Sequence, residues 1–268
     1  MANHFSAIGF TVGSEIELVT LARKLAPFSE SIAVEGGRYL HWSSASDAEV
    51  WLQLDGGKKI IGMNPHFSGN STVRVGLTHR LPSPGPSPLD GAFHAWANPP
   101  EKDPGSGDYP FVFDCPNILC YTDAQLPGIA HARITAFAHD IDVFDSVETY
   151  DSTPSTKPKL ASKSFIPSGL FLPSGEKTLQ PQARGILTGH VRRATRLTNE
   201  ESSLDFHWAE VESYGGIFDV VIDPAILKND PRVGGVISGS FWLSGQLTEY
   251  ARPRTGLLRR FLGSQRAG

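Results

Sequence analysis

The chain is poor in the features that announce a function. It has two cysteines in 268 residues. Cys115 and Cys120 cannot staple a chain of this size, and their spacing alone matches no usual zinc pattern. They read as two reduced structural thiols. No apolar run approaches the roughly 18 residues of a spanning helix. The N-terminus, Met1-Ala2-Asn3-His4-Phe5, lacks a basic region before an apolar run, which argues against a secretory signal. We expect a cytoplasmic bacterial protein. There is no phosphate loop, no Gly-x-Gly-x-x-Gly and no His-Glu-x-x-His. Ser238-Gly239-Ser240 lacks the spacing of a nucleophile elbow.

Charge is also scarce, at 19% of residues. The formal net charge of −4 hides an uneven spread. Residues 251–268 carry five arginines and no acid, which leaves −9 for the rest. An acidic body opposes a phosphate backbone, so nucleic acid is not the expected partner. A protein partner or self-association fits better. In the tail, Arg259, Arg260 and Phe261 belong to a basic amphipathic segment. Such a segment suits an acidic partner, peripheral contact with an anionic surface, or the protein's own body.

Glycine and proline are abundant instead, at 27 and 20 residues, beside a 40% hydrophobic content. Together they indicate many turns and short strands around a real core. We expect a mainly β (α+β) protein with one N-terminal helix. Antiparallel sheets would form two duplicated barrel-like β modules. Residues 4–12 read as a strand. The helix runs from Ser14 to about Ala26, with Ser14 and Glu17 as a capping box and Pro27 as its stop. Ile16, Val19, Leu21, Leu25 and Ala26 supply its apolar face. Strands are expected at 38–43, 49–54, 59–63 and 73–77. Val50, Leu52 and Leu54 alternate with Trp51, Gln53 and Asp55 at the strand period. The proline-rich run 82–88 should stay outside any ladder.

Two stretches share an order of landmarks. Phe93-His94-Ala95-Trp96 parallels Phe206-His207-Trp208. The strand closed by Asp114-Cys115-Pro116 parallels the one closed by Asp223-Pro224. Long strands then follow Gly128 and Gly235. The order divides the chain into an N-terminal segment (1–71), a first β module (72–150), a linker-like segment (151–183), a second β module (184–250) and the basic tail (251–268). The strands of 184–248, with the short element at 225–229, loosely resemble an oligomer-binding (OB) barrel. That resemblance implies a binding groove across the sheet. The strand, helix and three strands of the first 70 residues also resemble half of a vicinal-oxygen-chelate module. That likeness implies metal ligands on strands and draws attention to His4 and His66.

Candidate site residues fall in three sets. Asp140 and Asp142 share one strand face, with His139 and Ile141 on the other; the carboxylates suit a divalent cation. His41, His66, His94 and His207 are candidate pocket-lining groups. Arg259, Arg260 and Phe261 form the interaction tail. Without a catalytic signature or an indicated cofactor, the leading expectation is a non-enzymatic binding or assembly protein. The alternative is an enzyme, open to metal dependence, with its pocket between the N-terminal segment and the β modules.

Overall fold

The computed structural model describes residues 3–82, 85, 87–154, 159–171, 175 and 181–252. Arg259, Arg260 and Phe261 lie outside the described residues. Strands dominate, as the turn-rich composition implies.

The N-terminal helix α1 spans Glu15–Leu25. The Ser14 hydroxyl accepts from the Glu17 amide at 3.3 Å, and the Glu17 carboxylate takes the Gly13 amide at 2.7 Å. This satisfies donors the first helical turn leaves open. Its inner face differs from the expected one. Ala22 and Leu25 are buried and Leu18 and Leu21 pack on the core, whereas Ile16 is 79% exposed and Val19 is exposed. Residues 4–12 form no strand. Ser6–Ile8 make a 3-10 turn ending at Gly9, whose φ is +81°. A side chain at Gly9 would collide with Asn199 and the Leu204 carbonyl, so the turn fits only against that later hairpin.

Four strands then make an antiparallel sheet in sequence order. They are β1 (Glu30–Val34), β2 (Gly37–Ser43), β3 (Ala48–Asp55) and β4 (Ile60–Phe67). The sequence pattern does not mark β1, because Ile32-Ala33-Val34 is too short an apolar run to show a strand period. β3 is buried on both faces. Val50, Leu52 and Leu54 join the main core. The opposite face, Glu49, Trp51 and Gln53, is covered too, although its polarity suggests solvent.

The second sheet holds β5 (Thr72–Pro82), β6 (Gly91–Ala97), β7 (Pro110–Asp114), β8 (Gly128–Phe144), β9 (Ser164–Ile166), β10 (Arg184–Asn199), β11 (Leu204–Ser213), β12 (Gly216–Ile222) and β13 (Val236–Tyr250). Its pairings run round in two rings. One passes β5–β6–β7–β13–β8 and back to β5. The other passes β10–β11–β12–β8–β13 and back to β10. Each ring has one parallel join, β7 to β13 and β12 to β8, so the sheet is mixed rather than purely antiparallel. The long strands β8 and β13 lie side by side and belong to both rings. Phe93, Phe111, Phe113, Phe137, Phe206, Phe218 and Phe241 fill the interior.

Two expectations about loops change. Pro82 does enter a ladder, opposite Gly91, at the end of β5 where a missing amide is tolerated. Residues 151–183 are not bare connection. They contain β9, which pairs with β10 and buries Phe165. A short helix α2 (Val147–Ser152) runs into their start.

Candidate functional site

The covered polar face of the first sheet is where a site assembles. Residues directly opposite in a ladder point to one side. His41 faces Trp51 across β2 and β3. Glu49 faces His66, and Trp51 faces Asn64, across β3 and β4. This polar face packs on the first ring. Glu49 Oε2 accepts from Trp51 Nε1 at 2.9 Å and from Gln246 Nε2 at 3.0 Å. His66 Nδ1 lies 2.8 Å from Ser244 Oγ. Gln53 and Asn64 both donate to Asp90 Oδ1, the latter at 2.6 Å.

Beside these contacts lies a crevice of about 80 Å³. Asn64, Asp90, Gly91, Asp114, Pro116, Trp242 and Ser244 line it. Asp114 sits at the end of β7, opposite Ser244 in the parallel join. Its Oδ2 accepts from Trp242 Nε1 at 2.5 Å. The Trp242 ring is fixed from behind by His4, stacked at 4.0 Å and nearly parallel to it. His4 Nε2 in turn shares a 2.7 Å hydrogen bond with His139 Nε2. None of the lining residues among those described is basic.

The titrations follow from this burial. Asp114 is raised to about 6, first by desolvation and further by the Asp90 charge, against the Trp242 bond. Burial opposes the charge on Glu49, yet His41, His66 and Trp51 hold it down at about 2. His41 Nε2 stands 3.2 Å from Glu49 Oε1, and its ring stacks on Trp51 at 4.1 Å. His66 is fully buried and lowered to about 4, chiefly by desolvation. Its Nε2 has no hydrogen-bond partner among the described residues. His4 is lowered to about 3 by burial, then by the charges of His139 and Arg184.

These shifts predict an acid-labile fold. At pH 5 the unfolded chain protonates both His4 and His66, and the folded protein does not. Stability therefore falls as pH drops from about 6.5 toward 4. Each histidine should cost about 2 kcal/mol at pH 5 relative to pH 7. Asp114 works the other way and returns about 1 kcal/mol. Urea unfolding at the two pH values should show a net loss of about 2–3 kcal/mol. A flat profile would mean that both imidazoles accept protons in the folded state.

The sequence candidates divide accordingly. His41 and His66 meet at Glu49, next to the crevice. His94 bonds Thr78 at 2.7 Å and does not line it. His207, on β11, is buried beside Asp230 at 3.6 Å. Of His139, Asp140 and Asp142, the two carboxylates line one surface cavity together and His139 stands apart from them. His139 turns inward to His4, while Asp140 and Asp142 are exposed and Asp142 bonds Lys228 at 3.1 Å. Nor do His4 and His66 meet; they serve different partners. Among the described residues, no group of three or more His, Cys, Asp or Glu side chains could hold a metal ion. Asp90, Trp242 and Ser244 were not candidates, and Asp114 was noted only as a strand-closing residue. Asp90 precedes β6, Asp114 ends β7, and Trp242 and Ser244 lie on β13, so no local motif joins all four.

No family model, curated protein or solved structure matches the chain. Among the described residues, no helix is long and apolar enough to cross a membrane.

Proposed function

We propose that this is a non-enzymatic binding protein, and that its crevice takes a small cation. One observation carries the reading. Two carboxylates, Asp90 and Asp114, line a crevice that no basic side chain among the described residues enters. The cost shows in Asp114, whose charged form is disfavoured by burial and by Asp90. A bound cation would remove both penalties. The site lies where two sheets meet, a common place for ligand pockets. Its walls are held by Gln53, Asn64 and Trp242 hydrogen bonds before any ligand arrives.

The rest of the reading stays with the architecture. We take the rings to be a duplicated pair of barrel-like β modules that exchange strands, the second of them (184–250) OB-like, with residues 1–71 as a third element closing the crevice. A cytoplasmic location, and a protein partner or self-association through the tail, remain part of this proposal.

The test is calorimetric titration at pH 7.5 with simple cations, organic and metallic. We expect saturable 1:1 binding that is lost in Asp114→Asn and weakened at least tenfold in Asp90→Asn. Affinity should fall about tenfold per pH unit below about 6, as Asp114 protonates. Equal binding by both variants would remove the crevice from consideration.

A second reading has one specific support. Ser244 Oγ, on the crevice wall, lies 2.8 Å from Nδ1 of His66 behind it, so the alternative of an enzyme with Ser244 as nucleophile is testable. Against it, His66 is held well below the usual imidazole range, which makes it a weak base. Covalent labelling of Ser244 by a fluorophosphonate probe would favour the enzyme.

A further inference from the structure

A surface cavity of about 650 Å³ lies over the shared strands β8 and β13, away from the crevice. Ser240 faces Asp140 on one side and Ile186 on the other, so strand register sets these three in one row of its floor. Phe144, Leu160 and Ile166 give it further apolar wall. Ile166 is 38% exposed, and Phe144, Leu160 and Ile186 are half-buried, so no described residue covers this surface. Uncovered apolar walls of this extent mark an interaction site. The free charge around it is negative. Asp140 is exposed and has no ion pair among the described residues. Helix α2, which contributes Tyr150 to the cavity, carries exposed Glu148 and Asp151. Lys159 also lines the cavity, but its ammonium is engaged: it donates to the Thr153 carbonyl at 3.1 Å and sits over the Tyr150 ring.

The complement of such a surface is a segment that is apolar, basic and free of acid. This chain contains one. Beyond Arg252, the sequence sets Leu257, Leu258, Phe261 and Leu262 among Arg254, Arg259 and Arg260, with no acidic residue. It cannot serve the cavity of its own chain. Arg252 is held by Asp123 at 3.0 Å, and the Ala251 carbonyl accepts from the Gln125 amide at 2.8 Å. The tail therefore leaves from the end of β13 that is far from the cavity. From Ser240 to Tyr250 that strand runs about 33 Å, at about 3.3 Å per residue. Leu257 lies five residues past Arg252 and reaches about 18 Å from it at full extension. Resting on the reading of the tail as the segment that self-associates, we infer that this cavity receives residues 257–262 of a second copy of the chain. The leucines and Phe261 enter between Phe144, Ile166 and Ile186, and Arg259 and Arg260 meet Asp140 and the acids of α2. The contact is heterologous, tail to cavity.

The experiment uses the full chain with Phe261 replaced by the photo-cross-linker p-benzoylphenylalanine, mixed with ¹⁵N-labelled wild type. Illumination should join position 261 to the labelled copy, at the peptides that carry Phe144, Leu160, Ile166 or Ile186. In sedimentation velocity, Asp140→Arg and Phe261→Glu should each weaken self-association about tenfold. Asp140 is exposed, so its replacement leaves the fold in place. Cross-links confined to one chain would overturn docking between copies. Cross-links to another surface of the labelled copy, with Asp140→Arg silent, would overturn the cavity, free it for a different occupant and leave tail-mediated association standing. If the wild type sediments as a monomer at every concentration, the reading of the tail itself fails.

Discussion

Asp114→Asn should make the ligand-free protein more stable at pH 7.5 while abolishing its binding. The carboxyl titrates near 6 when folded, against an ordinary value of 3.8. Above pH 6 the folded protein carries a charge that the unfolded chain solvates better. Between 3.8 and 6 the folded state holds more protons, so stability falls as pH rises through that window. Two units correspond to about 3 kcal/mol. The crevice is partly open to water, which reduces this to about 1–2 kcal/mol. Asparagine keeps an oxygen for the Trp242 donor and removes the charge. Urea unfolding should therefore rank the variant above wild type at pH 7.5 and level with it at pH 4. Loss of stability at pH 7.5 would show that the carboxylate is already compensated within the protein. A residue that costs stability in the free protein is what a binding site predicts, because the ligand supplies the missing charge.

The same residue shows where sequence reasoning reached and where it stopped. The run closing at Asp114 was legible as a strand, because Phe111, Val112 and Phe113 are apolar and Pro116 ends the pattern. β8, β10, β11, β12 and β13 were legible for the same reason. The helix was legible through Ser14 and Glu17, which act within a single turn. By contrast, His4 and the residues after it look like a strand in isolation. They become a 3-10 turn because Asn199, far along the chain, donates to the Ile8 carbonyl at 2.8 Å. The site failed to appear for a similar reason. Asn64, Asp90, Asp114 and Ser244 are ordinary polar residues until strand pairing gathers them. Histidines drew attention by their rarity. Two of them, His41 and His66, proved to support the crevice from behind rather than to line it. The one available hint was the alternation in β3. Glu49, Trp51 and Gln53 are too large and too mixed in character for a plain solvated face.

Phe137→Ala should have the largest effect on stability, and it should reach both rings at once. The ring of Phe137 is fully buried at the centre of β8 and lies 4.8 Å from that of Trp242. On one side β8 pairs with β13 at Trp242; on the other it pairs in parallel with β12 at Val221. Truncation leaves a cavity between these strands and should cost about 3–5 kcal/mol. The topology then sets where that loss is felt. β8 and β13 close both rings, so neither ring can release them and remain closed. Hydrogen exchange should therefore rise together in peptides from β6, in the first ring, and β11, in the second. Phe93→Ala, in the unshared strand β6, is the control. It should also couple to β11, because opening the first ring frees one edge each of β8 and β13. If β6 exchanges while β11 stays protected in either variant, the rings are separate folding units. The boundary would then fall in the 151–183 segment, with the shared strands only a contact between two domains.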